Sequence, residues 1–123
     1  MMDTLDLAWE TYEFYTNEIM KCEETHSNTL KTLKKFVNEN PYPKQYQKKR
    51  VKNKCIESCS KLTLLYNKQI QALDDLIDIY NHRVDIPEDK EVDLSHLLTL
   101  KNITAVLIQE INKYKEDINN SLN

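Results

Sequence analysis

The sequence contains no glycine. Glycine normally supplies the left-handed backbone of tight turns, helix C-caps and phosphate-cradling loops, so a Rossmann turn or a P-loop is excluded. Long apolar runs are missing as well: no window approaches the roughly 18 apolar residues of a membrane span. The opening Met1-Met2-Asp3-Thr4-Leu5-Asp6 is acidic, where a cleavable signal peptide would be basic ahead of an apolar stretch. A soluble protein without a membrane span is expected. The three cysteines are few and odd in number, which argues against a disulfide framework and fits a reducing intracellular compartment, cytoplasm or nucleus. In that setting the Asn-x-Ser/Thr matches at Asn102 and Asn119 are chance.

What the chain does have is periodicity. Leu5, Ala8, Tyr12, Tyr15, Ile19, Cys22, His26, Thr29, Leu33 and Phe36 alternate at spacings of three and four, the signature of a long helix packed lengthwise. A second stripe runs through Ile56, Cys59, Thr63, Tyr66, Ile70, Leu73, Ile77, Tyr80 and Val84. Beside it lies another seam, Leu62, Leu65, Ala72, Leu76 and Ile79, interrupted by Gln69. A helix apolar over so wide a face needs at least two helical neighbours. The third stripe is Leu97, Leu100, Thr104, Leu107, Ile111, Tyr114 and Ile118.

Proline punctuates these stripes. Asn38-Glu39-Asn40-Pro41-Tyr42-Pro43 stops the first helix, and Asp85-Ile86-Pro87-Glu88-Asp89-Lys90-Glu91 marks a second, charged connector. The reading is all-α: a single helical domain over 1–123, an elongated antiparallel three-helix bundle or coiled-coil hairpin with a shorter third helix. Its helices span about 4–38, 44–84 and 94–119, with connectors at 39–43 and 85–93, and Asp3 or Thr4 and Asp93 or Ser95 are candidate N-caps. A third helix shorter than the hairpin leaves apolar surface for another helical chain, in a homo- or hetero-oligomer. Trp9, Phe14 and Tyr15 on the first helix and Leu62, Leu65, Leu76 and Ile79 on the second are the candidate partner-binding residues.

Charge is unevenly spread behind a formal net charge of -3. Residues 1–30 set Asp3, Asp6, Glu10, Glu13, Glu18, Glu23 and Glu24 against Lys21, while residues 31–54 set nine bases against Glu39. Lys44, Lys48, Lys49, Arg50, Lys52 and Lys54, with Tyr42 and Tyr46 nearby, form a basic patch that can meet nucleic-acid phosphates through counterion release. Lys49-Arg50-Val51-Lys52 also has the form of a short nuclear-localisation signal. Charge runs are more often solvated helix faces, and the acidic start of the first helix offers these cations another partner.

One set of residues has metal-ligand chemistry. Cys22-x3-His26 and Cys55-x3-Cys59 each lie on one helical face, and a hairpin folding about Pro41 would bring all four to one height. Three thiolates and an imidazole form a structural zinc set, closed to catalysis. The plainer reading, cysteine as a small hydrophobe and His26 as a polar register residue, carries more weight. Enzymatic chemistry is thinly served: Asp74, Asp75 and Asp78 and the connector acids lack a cleft, an EF-hand spacing or the pair of Glu-x-x-His motifs of a di-iron bundle. The expectation is a non-enzymatic helical scaffold or adaptor subunit of a larger assembly, without a cofactor. The rival is a nuclear nucleic-acid- or chromatin-associated module using the basic segment 44–54, with zinc as a structural staple.

Overall fold

The computed structural model describes residues 3–122. They form three α-helices, α1 (Thr4–Glu39), α2 (Gln45–His82) and α3 (Leu94–Ser121), with one 3-10 turn at Glu88–Lys90, and no strand occurs among the described residues. The boundaries fall within two residues of those read from the stripes. Only the 3-10 turn lacks a sequence signal.

Each helix end has a local cause. Asn40 closes α1 with its backbone N–H and its side-chain amide, both donating to the Phe36 carbonyl at 3.1 and 3.0 Å. α2 opens after Pro43, where the Gln47 side-chain oxygen accepts the Lys44 N–H at 3.1 Å. Asp93 caps α3 by accepting the Ser95 N–H at 3.0 Å, which satisfies one of the orphan donors of a helix start. Asp3 stands at the N-cap of α1 but makes no side-chain capping bond. Its carboxylate is engaged elsewhere, as described below.

α2 is the central element of a helical bundle: it packs against both α1 and α3, while no Cα atoms of α1 and α3 approach within 8 Å. The two apolar seams of α2 explain this, since Leu62, Tyr66, Ala72, Leu73 and Leu76 are buried by helices of the same chain. Leu62 and Leu76 are 1% and 0% exposed. They are core residues, not partner contacts, because α1 and α3 already cover the second seam.

Pairing between α1 and α2 runs Trp9 with Tyr80, Thr16 with Gln69, Glu23 with Tyr66 and His26 with Ser58, so partner numbers fall along α2 as they rise along α1. Three apolar clusters succeed one another along this axis. Leu5, Leu73, Leu76 and Leu97 form the first; Ile19, Cys22, Leu62 and Tyr66 the second; Cys55, Cys59 and Ile118 the third. Burial of such side chains stabilises by roughly 1.5–3 kcal/mol each before the entropy of ordering the chain is set against it.

Between the first two clusters lies a polar layer. Gln69 donates its amide to the Thr16 hydroxyl at 3.1 Å, and the Gln69 carbonyl oxygen lies 3.3 Å from the Thr104 hydroxyl. Both threonines also donate to the carbonyl four residues back, Tyr12 and Leu100, at 2.9 Å. One glutamine thus ties all three helices at a single height, and any slip of register separates its half-buried amide from these partners.

Candidate functional site

The four Cys and His residues expected to gather at one height do not form a ligand set. Cys22 packs with Ile19, Leu62 and Tyr66, whereas Cys55 and Cys59 pack with Ile118 in a separate cluster. His26 Nδ1 lies 2.8 Å from the Ser58 hydroxyl, and its ring meets Tyr114 edge-on at 6.4 Å. The turn between Glu39 and Gln45 is centred on Tyr42 instead of Pro41, so His26 pairs with Ser58 instead of Ile56 or Cys55. Among the described residues no three His, Cys, Asp or Glu side chains are arranged to hold a metal ion.

Burial sets the chemistry of these groups. All three cysteines are free and buried, and desolvation pushes each thiol up, which disfavours the nucleophilic thiolate. Desolvation likewise lowers the His26 pKa, opposed by the charge of Glu23. Tyr66 is pushed above its ordinary range by burial and by Glu23, whose carboxylate accepts its hydroxyl at 3.1 Å. At neutral pH these shifts favour the neutral imidazole, the protonated thiols and the protonated phenol.

This carries a pH dependence with a definite sign. The folded-state pKa of His26 lies below its unfolded value of about 6.5, so the unfolded chain takes up the proton first. The His26 contribution is fully present above pH 6.5 and is lost as pH falls from there through the depressed folded pKa. Urea midpoints at pH 7.5 and 5.5 should show a larger drop for the wild type than for His26→Gln. Equal drops in the two proteins would refute this assignment.

At the opposite end from the hairpin turn, the second connector is tied to the start of α1. The Arg83 guanidinium contacts Asp3 at 2.9 Å and Asp85 at 2.9 Å, and holds both carboxyls below the usual range. Lys90 pairs with Asp6, and Tyr80 donates to the Lys90 carbonyl while accepting the Trp9 indole N–H at 3.0 Å. Trp9 also meets the Tyr12 and Tyr80 rings edge-on at 5.9 and 6.5 Å. It belongs largely to this clasp. The sequence offered no pairing signal here beyond complementary charge, because the partners lie more than seventy residues apart.

The remaining candidate partner residues divide. Phe14 is 57% exposed and stacks edge-on to the half-buried Tyr15 at 5.2 Å, and Leu65 and Ile79 are half-buried. In the basic segment Lys44, Lys49, Arg50 and Lys54 are exposed, and Lys48 and Lys52 are half-buried. Tyr42 and Tyr46 project nearby, 95% and 65% exposed. α3 ends beside Cys55, with Leu122 packed in that cluster, so the hairpin tip lies beyond it. A groove of about 600 Å³, lined by Thr25, Thr32, Phe36, Tyr46, Arg50 and Lys54 among others, opens between α1 and α2 near this tip. Leu64, which no stripe marked, is also 58% exposed on α2.

No helix among the described residues is long and apolar enough to cross a membrane. No protein-family model, curated protein or solved structure matches the chain.

Proposed function

We propose that this chain is a non-enzymatic helical adaptor, an antiparallel bundle whose α1–α2 hairpin docks another helical chain. One observation carries the reading: the three helices fill their own core, yet the hairpin keeps Phe14 and Leu64 more than half exposed on surface that α3 leaves uncovered. Isolated exposed hydrophobes are ordinary, but these lie along a grooved helical surface of the kind used for helix-in-groove recognition. The buried thiols and imidazole are built for packing, and the grooves are shallow inter-helix hollows rather than a converging set of acids, bases and nucleophiles.

Affinity capture on the full chain followed by cross-linking mass spectrometry tests this. A stoichiometric helical partner, whether a second copy or another protein, cross-linked to α1 or α2 is the expected result. Recovery of the chain alone and monomeric would overturn it.

A second reading has its own support. The exposed Lys49, Arg50 and Lys54, with Tyr42 and Tyr46 projecting beside them, combine phosphate-binding cations with rings able to stack on bases. Titration of a labelled duplex or single strand across a salt series distinguishes it: a nucleic-acid module loses affinity with a steep salt slope, and an adaptor shows no binding to lose.

A further inference from the structure

Three surface grooves follow one another along the hairpin, and all of them are lined by α1 and α2 with no residue from α3. Their α1 residues recur at helical spacing: Leu7 and Thr11, then Glu18 and Thr25, then Thr32 and Phe36. Phe14 continues the same stripe. The grooves therefore share one face, on the side of the hairpin that α3 does not line.

That face carries opposite charge at its two ends. Arg50 and Lys54 line the groove nearest the tip, and Asp75 and Asp78 line the groove nearest the clasp. α1 repeats the polarity, with Asp6, Glu10, Glu13, Glu18, Glu23 and Glu24 against Lys21 in its first part and Lys31, Lys34 and Lys35 against Glu39 in its last. Ala8 and Ala72 line the clasp-end groove. Near the middle of the face, Leu64 stands more than half exposed.

We infer that this face binds a second copy of the same chain, laid antiparallel across it, so that the basic tip of each protomer rests on the acidic end of the other. The inference rests on the adaptor reading and names its partner. A two-fold axis lying in the interface and crossing the helices at Leu64 sets Arg50 level with Asp78 of the partner, and Lys54 beside its Asp75. The two Leu64 side chains meet at the axis. Such an isologous contact uses each charge cluster twice. A parallel arrangement would place Arg50 and Lys54 on themselves, and like charges so opposed disfavour it. An unrelated acidic helix would satisfy the basic end alone. This chain carries the complement of both ends in the matching order. Asp78 lies 3.1 Å from His82, an exposed contact four residues along the same helix that leaves the carboxylate accessible.

Sedimentation velocity of the full chain over a concentration series tests the inference. The expected result is a dimer that weakens as salt rises. Arg50→Glu with Lys54→Glu, and separately Asp75→Lys with Asp78→Lys, should each weaken dimerisation at least tenfold. Combining all four, or mixing the two double variants, should restore it. Circular dichroism of each variant separates loss of association from loss of fold. Leu64→Cys adds an independent readout: it should form an intermolecular disulfide readily on oxidation, whereas Leu98→Cys on α3 should not. A wild type that stays monomeric at 100-fold the concentration of the other arms, a dimer indifferent to the charge reversals, or equal cross-linking at Leu98 would each overturn the inference. A monomer that nonetheless captures a different helical protein stoichiometrically sinks the homodimer and leaves the adaptor reading standing.

Discussion

Replacing Leu76 with alanine is expected to destabilise the fold by about 2–5 kcal/mol, the range for removing a large aliphatic side chain from a packed core. Leu76 is fully buried in a cluster with Leu5 of α1, Leu73 of α2 and Leu97 of α3. The cavity would open where all three helices meet, and closing it needs movement of two helices against the third. Collapse is resisted from the Gln69 layer on one side and the connector clasp on the other, which places the cost toward the upper part of that range. Urea denaturation followed by circular dichroism checks it through the midpoint at unchanged slope. A cost below about 1 kcal/mol would mean that this site is not the shared core.

Trp9→Ala is expected to cost about 3 kcal/mol, at the low end for aromatic-to-alanine changes because the indole is only partly buried. Its distinguishing effect is spatial. The indole packs on the Leu5 cluster, holds two aromatic rings edge-on, and donates to the Tyr80 hydroxyl that in turn holds the Lys90 carbonyl. Without it the connector loses one of its apolar anchors and keeps Ile86 and Val92 against the Leu5 cluster, the Tyr80 bond to the Lys90 carbonyl, and the ion pairs of Arg83 and Lys90. Hydrogen exchange should therefore accelerate across residues 83–93 before α2 and α3 lose protection. Tyr80→Phe, which keeps the ring but removes the hydroxyl, should accelerate the same segment at a smaller global cost, about 1 kcal/mol. Uniform acceleration through all three helices in Trp9→Ala would show that the clasp is not a separable unit.

The contrast between Trp9 and Leu76 shows where sequence reading stopped. Periodicity put Leu76 on a seam of α2, Trp9 stood beside the α1 stripe as a candidate partner contact, and helix bounds followed from the stripes and from Pro41, Pro43 and Pro87. A stripe specifies a face but not what covers it. Leu76 looked available to a partner because the second seam of α2 exceeded what one neighbour needs. The surplus is met by α3, whose Leu97 reaches the same cluster. Register was equally hidden. Gln69 showed in the sequence only as a break in a seam, and its role emerges when Thr16 and Thr104 arrive beside it from other helices.

The Cys and His residues illustrate the same limit. Four-residue spacing placed each pair on one face correctly, but the height at which the two faces meet depends on the turn. The basic segment, by contrast, was legible in full as a run of charge, and the structure adds which of its cations are exposed and where the grooves run. Its complement on α2 went unread as such: Asp75 and Asp78 registered only as a cluster of acids. Opposite charge at two ends of one face becomes visible when α1 and α2 lie side by side.

The backbone itself has a consequence for how freely this sequence can change. Among the described residues none has positive φ and no peptide bond is cis. No described position therefore reserves its backbone for glycine. A saturation library read out by stability should show the connectors 40–44 and 83–87 tolerating alanine on backbone grounds, with its costs confined to positions whose side chains make named contacts.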